Sequence, residues 1–275
     1  MKFKIFSVFV FILTILSCSK QLYQPYQATN LSYKNQAKEY GKLLSQYPLQ
    51  DSLGINTSLN WVGTTNFNMR RPNFVIIHHT AQNTCEQTLK TFTLPRTAVS
   101  AHYVICRDGV VYHMLNDYLR AWHAGAARWG NVTDVNSSSI GIELDNNGEE
   151  IFAAPQMQSL YDLLARLKKA YNIPAANFVG HSDIAPTRKN DPNVNFDWKE
   201  MANQGYGLWY GDTTNVAVPK NFDPLLALRI VGYDVMKDTT AVFTVFKRKY
   251  FQQNNSKVLT EGDKKVLFTL MKKHL

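Results

Sequence analysis

The feature that most constrains the fold of this chain is a set of short apolar, β-branched runs embedded among helical patterns. Residues 74–78 (FVIIH), after Arg71-Pro72-Asn73, and residues 140–144 (IGIEL) read as strands. Residues 102–107 (HYVICR) and 110–115 (VVYHML) flank Asp108-Gly109, a hairpin signal. Residues 178–180 add one more brief strand. Residues 84–92 read as a helix. In 156–171, behind Ala154-Pro155, Met157, Leu160, Leu163, Leu164 and Leu167 recur at helical spacing. Strands alternating with helices predict an α/β fold with a mixed central β-sheet flanked by helices.

Outside that region the chain changes character. Residues 1–17 (MKFKIFSVFVFILTILS) place Lys2 and Lys4 before an apolar run. That is a secretory leader, shorter than the ~20 residues of a spanning helix. The run ends on Leu16-Ser17-Cys18, which looks like a bacterial lipobox: an aliphatic residue, a small residue, then a cysteine that takes lipid and becomes the new N-terminus. The competing reading is a plain signal peptide with an accidental cysteine. Acyl chains on Cys18 would hold the chain to a membrane. Residues 18–59 follow as a tether and N-terminal segment, with 19–35 polar and aperiodic and 36–47 a short helix. Residues 60–210 form the dense folded region and 211–221 (GDTTNVAVPKN) a linker. Residues 222–275 carry three helical stretches, 224–231, 239–250 and 260–273, expected to fold as a small second domain.

A leader of this kind implies an oxidising, extracytoplasmic compartment, where Cys85 and Cys106 either pair or remain buried thiols. Three cysteines are too few for a disulfide framework. The formal charge of +9 allows nucleic acid, an anionic membrane or a polyanionic wall polymer as partner without choosing among them. The basic residues near the C-terminus, Lys247, Arg248, Lys249, Lys264, Lys265, Lys272 and Lys273, read as a solvated helix face, with attraction to an anionic polymer as the alternative.

Three places can carry chemistry. His78 ends its strand, sharing a face with Phe74 and Ile76 while His79 points the other way. The loop 180–198 (GHSDIAPTRKNDPNVNFDW) holds His181 and Asp191 ten residues apart, with Lys189 between them. His78, His181 and Asp191 together would make the three-ligand set of a catalytic zinc site, although His78 taken alone is more often a packed or surface histidine. Glu143 projects from the strand face opposite Ile140, Ile142 and Leu144; such a carboxylate is paired, protonated or working. Beside a metal-activated water it would be a general base.

Four blocks in order, FVIIHHTA, SAHYVICRDGVVYHML, AWHAGAARWGNVTDVNSSSIGIELDNN and VGHSDIAPTRKNDPNVNFDW, resemble the type 2 zinc-dependent N-acetylmuramoyl-L-alanine amidases, relatives of the peptidoglycan recognition proteins. The resemblance covers residues 66–198, about half the chain. It implies one Zn2+ held by His78, His181 and Asp191, Glu143 as general base and Lys189 as oxyanion partner. It also implies hydrolysis of the amide between N-acetylmuramic acid and L-alanine in peptidoglycan or muropeptides, for wall turnover or recycling. Trp122, His123, Arg128 and Trp129 would line the substrate groove, with packing as the competing reading for Trp122. His102 and His113 read as structural histidines. Residues 222–275 resemble a three-helix peptidoglycan-binding domain. Lipobox and domain order together are similar to lipoprotein amidases of the Gram-negative outer membrane, which implies an envelope protein facing the periplasm. There are departures: Ala101 stands where phage members carry Tyr, and Thr187 and Asn190 alter the polarity beside Lys189 and Asp191.

Two other functions compete. A non-catalytic wall-binding module on the same fold would be expected to lack a ligand or the base, and all four residues are present. A nucleic-acid binder would need a recognisable motif and another compartment. Nothing in the sequence implies an obligate protein partner.

Overall fold

The computed structural model describes residues 24–45, 62–253 and 256–275. The leader, Cys18 and much of the tether lie outside the described residues. The chain divides into two units, residues 1–66 and 67–275. In the first, α1 (Gln27–Leu44) corrects the reading of 19–35 as tether alone: the helix begins at Gln27. None of its residues is buried. The sequence carries no apolar stripe there, and the helix forms without a buried residue.

The second unit is built on five strands: β1 (Phe74–His79), β2 (Tyr103–Ile105), β3 (Val111–His113), β4 (Ser139–Leu144) and β5 (Phe178–Gly180), in the order β3-β2-β4-β1-β5. All neighbours are parallel except the β2–β3 hairpin. Around them run α2 (Cys85–Thr93), α3 (Val135–Ser138), α4 (Ala154–Tyr171), α5 (His181–Ile184), α6 (Trp198–Asn203), α7 (Pro224–Val231), α8 (Thr239–Phe251) and α9 (Glu261–His274). The mixed sheet flanked by helices is the architecture that the strand–helix alternation predicts.

Period-2 alternation sorts the strand residues between two cores. Val75, Ile77, Ile140, Ile142 and Leu144 face Leu160, Leu163, Leu164 and Leu167 of α4. Full burial of each such side chain contributes about 1.5–3 kcal/mol. Phe74, Ile76 and Val179 face the other way, into a core completed by Ala227, Leu228, Val231, Val242, Phe246, Leu267 and Leu270. The three C-terminal helices thus form one compact unit with the sheet, and residues 211–221 pass between them as turns and irregular chain. Each helix starts where capping chemistry puts it. Asp223 accepts from Leu225 N–H ahead of Pro224, Asp238 from Ala241 N–H, and Thr260 forms a reciprocal box with Asp263.

The solvated-face reading of the basic residues is corrected at two positions. Lys247 and Lys249 are buried and ion-paired, Lys247 with Asp263 at 2.8 Å and Lys249 with Asp183 at 2.6 Å. Val242, Val245, Phe246 and Tyr250 bury much of the circumference of α8, so lysines between them cannot reach water and are neutralised in place. Cys85, at the start of α2, and Cys106, just past β2, form a disulfide with Cα atoms 5.4 Å apart.

Candidate metal centre

Parallel strand pairing places the site. His78 near the end of β1 lies in register with Glu143 on β4, and both project from the face shared by Phe74, Ile76, Ser139 and Gly141. His181 is the first residue after β5 and opens the single turn of α5. The chain returns through Asp191, whose carbonyl accepts the Ser182 N–H at 2.8 Å.

Three ligand atoms converge. His78 Nδ1 stands 2.9 Å from His181 Nδ1, and both stand 3.0 Å from Asp191 Oδ2. The outer hydrogen bonds decide which ring nitrogens carry protons. His181 Nε2–H donates to the Ala124 carbonyl at 3.1 Å, leaving Nδ1 as a lone pair. The Ser139 hydroxyl donates to Val135 O, so its oxygen accepts from His123 Nε2–H at 3.1 Å. His123 Nδ1 therefore accepts from His78 Nε2–H at 3.0 Å, and His78 Nδ1 is a lone pair as well. Two imidazole lone pairs and a carboxylate oxygen aimed at one point repel one another unless a cation lies among them. Ligands about 2.0–2.1 Å from a tetrahedral ion are about 3.3 Å apart, close to the spacing here. The donor set fits a metal ion, and two imidazoles with one carboxylate suit zinc.

The electrostatics agree. Burial and the facing His181 push the His78 imidazole down to about 4, which keeps it neutral and ligand-competent. Burial alone would raise the Asp191 carboxyl, but in the metal-free protein a proton taken up on the facing nitrogen of His181 or His78 supplies a hydrogen bond and charge that hold it well below the usual carboxylate range. Glu143 is 9% exposed, with Oε1 4.0 Å from His78 Nδ1 and a buried Oε2 that has no protein partner. Burial and the nearby Asp191 push its carboxyl well above the ordinary value, with Lys189 opposing. A group in that state takes up a proton readily. Lys189 is exposed at the rim and acts on Glu143 and His78 through space.

The four residues expected in the groove separate. Trp122 is 54% exposed, its backbone held on both sides by Ser100. Arg128 is exposed and lines a cavity of about 290 Å³ with Arg229, Tyr233 and Met236. The direct-contact reading of His123 is corrected: it is 8% exposed, lies behind His78, and both ring nitrogens are taken by protein. A Cβ on Gly141 would come within 2.5 Å of its ring, which is why β4 carries glycine there. Trp129 is corrected too. It is 7% exposed, buried against Tyr233 at 4.9 Å and beneath Gly232, in the core shared with the C-terminal helices. His102 is fully buried and structural, accepting Gly141 N–H at Nδ1.

Several contributors escape a reading by motif. Asn136 Oδ1 accepts from the His123 and Ala124 N–H groups and shapes the loop beneath the site. Arg188 donates to the Ala124 and Ala126 carbonyls, and Ser139 ends the histidine chain. Asn, Arg and Ser in loops carry no spacing signal of their own. Only the flanking Gly125 and Gly141 hint that the backbone is crowded there.

Residues 68–194 match the family described as N-acetylmuramoyl-L-alanine amidase. The amidase AmiD of Escherichia coli K12 is 35% identical over 192 residues, spanning 60% of this chain and 68% of that protein. The chain belongs to the N-acetylmuramoyl-L-alanine amidase family. The 1,6-anhydro-N-acetylmuramyl-L-alanine amidase AmpD of Haemophilus influenzae is 41% identical over 102 residues, 37% of this chain and 55% of AmpD. Among solved structures, E. coli AmiD in complex with anhydro-N-acetylmuramic acid-L-Ala-D-γ-Glu-L-Lys superposes with a TM-score of 0.68 at 27% identity. It covers 79% of this amidase and 95% of AmiD. AmpDh3 of Pseudomonas aeruginosa in complex with an anhydromuramic pentapeptide gives 0.68 at 27%, covering 80% and 99%. The coverage of both structures exceeds residues 68–194, so the likeness extends beyond the amidase's catalytic segment.

Proposed function

We propose that this amidase cleaves the amide joining the lactyl group of N-acetylmuramic acid to L-alanine, in peptidoglycan or muropeptides, at a zinc ion held by His78 Nδ1, His181 Nδ1 and Asp191 Oδ2. The observation that carries this reading is the convergence of three lone pairs beside a buried carboxylate oxygen that no protein group satisfies. Zinc, when bound, would supply a Lewis acid that lowers the pKa of a bound water to about 7 and polarises a carbonyl. Glu143 accepts the proton of the attacking water and returns it to the departing alanine amine. The Lys189 ammonium at the rim balances charge growing on the carbonyl oxygen. His123 and the Ala124 carbonyl keep both ligand imidazoles in the tautomer that presents Nδ1. Cys85 and Cys106 are joined to each other and offer no nucleophile. Trp122 gives the sugar or stem peptide an exposed indole face.

The test is digestion of purified muropeptides read by mass spectrometry. The reading expects free stem peptides with an L-alanine amino terminus, loss of that product in chelator and recovery with zinc. Full activity in a metal-stripped sample overturns it.

The same reading places the protein in the cell envelope, lipid-anchored through Cys18 to the outer membrane of a Gram-negative bacterium and facing the periplasm. The support is the charged-then-apolar leader ending on Leu16-Ser17-Cys18. A Cys18→Ala chain should leave the detergent phase in a phase-separation assay; retention there refutes lipidation at Cys18.

A further inference from the structure

Asp183 lies two residues beyond the ligand His181 and is 1% exposed. Its Oδ2 accepts the N–H of Gly180 at 2.8 Å and the Lys249 ammonium at 2.6 Å, and its Oδ1 accepts the Tyr233 hydroxyl at 2.8 Å. The first donor belongs to the turn itself. The other two come from the C-terminal helices: Tyr233 just past α7, Lys249 on α8. Lys249 is 6% exposed and also lies 4.2 Å over the Trp198 ring. Next to Asp183, Ile184 and Ala185 pack into the core formed with Leu228, Val245 and Phe246.

The segment held in this way carries one ligand of the metal centre and is tied to the loop that carries another. It presents His181, its Ser182 N–H binds the Asp191 carbonyl, and Ala185 O accepts the Lys189 N–H at 3.0 Å. A single helical turn has little stability of its own, because nucleation fixes several residues for one or two hydrogen bonds. Its geometry must come from what grips it.

We propose that Lys249 and Tyr233 are positioning residues for the metal centre, clamping Asp183 so that residues 222–275 act as a buttress for the turn bearing His181. This rests on the reading of His78, His181 and Asp191 as zinc ligands. It gives the C-terminal helices a task distinct from binding wall polymer. Without the ammonium, Asp183 is a buried, underpaired carboxylate that gains by turning toward water. That movement carries His181 off its position, and partners behind metal ligands are typically worth 10–100-fold in affinity.

A buried ion pair also contributes general stability, and the molecule contains a matched control. Lys247–Asp263, at 2.8 Å and also buried, joins α8 to α9, and the polar partners of Lys247 among the described residues are Asp263 and the Val258 carbonyl, neither of them on α5. The experiment is zinc affinity of the full chain by competition with a chromogenic chelator, beside the melting temperature of the metal-free protein, for wild type, Lys249→Met, Tyr233→Phe and Lys247→Met. The clamp expects Lys249→Met to lose about 10–100-fold in zinc affinity, and Tyr233→Phe to lose less. Lys247→Met should lower the melting temperature while its zinc affinity stays within about threefold of wild type. Should Lys249→Met fail to fold, Tyr233→Phe, which removes one hydroxyl, decides alone: unchanged zinc affinity overturns the proposal. Equal losses in Lys247→Met and Lys249→Met also overturn it. A wild-type chain that binds no zinc overturns the metal assignment and the clamp with it; tight wild-type binding with an unaffected Lys249→Met overturns the clamp alone.

Discussion

Replacing Glu143 by Gln preserves the shape of the side chain and removes only its capacity to hold a proton in transit. General-base assistance is worth about 10²–10⁴ in rate, or roughly 3–5 kcal/mol of barrier. Glu143 is not one of the three converging ligands, with Oε1 4.0 Å from His78 Nδ1, so zinc content should be unchanged. The same substitution has an opposite effect on stability. In the metal-free protein, burial and Asp191 raise the Glu143 carboxyl above its ordinary value of 4.5. Above that pH the unfolded chain has released a proton that the fold retains, so stability falls as pH rises. Gln carries no such penalty. Metal-free Glu143→Gln should therefore melt above metal-free wild type, by a margin that grows from pH 5 toward pH 8. The assays are muropeptide turnover by chromatography, zinc by elemental analysis, and calorimetry of the metal-free proteins at both pH values. Turnover within about tenfold of wild type would refute the base role. A variant that melts lower at every pH would refute the unpaired buried carboxylate.

Gly141→Ala should cost about 1–3 kcal/mol by overpacking and weaken zinc binding, because the new methyl would stand 2.5 Å from the His123 ring that supports His78; metal titration with a melting curve checks both. Mutating Cys85 and Cys106 to Ser should cost about 3 kcal/mol for a loop of about 20 residues, read by urea unfolding, while thiol titration of the native protein finds neither cysteine free. Trp122→Ala should raise KM on muropeptides and leave stability within about 0.5 kcal/mol, since the indole is exposed; a fall in kcat at constant KM would point instead to a role in the chemistry.

The strands were legible because their residues are consecutive and their period is two: FVIIH and IGIEL announce both the sheet and the face on which His78 and Glu143 project. The C-terminal helices were legible from their recurring apolar residues, but their attachment was not. Lys247 and Lys249 look like surface charge until Asp263 and Asp183 are placed beside them, and each pair joins residues that no periodicity relates. Trp129 reads as a groove aromatic until Gly232 is found against it. His123 sits among groove residues in sequence, yet its ring points inward because Gly141 on a neighbouring element leaves the room. At α1 the sequence misled in the other direction, since a helix with no buried residue need show no stripe.

Residue types and their order along the chain were enough to carry the family resemblance, and through it the donors and the base expected for this amidase. Which donors meet, which protons they carry, and what holds them came only from folding, because those depend on distances of a few tenths of an ångström between segments tens of residues apart. Chemical identity is a local property of a chain. Mutual position is set by everything packed behind it, here including three helices that their sequence alone presents as a separate unit.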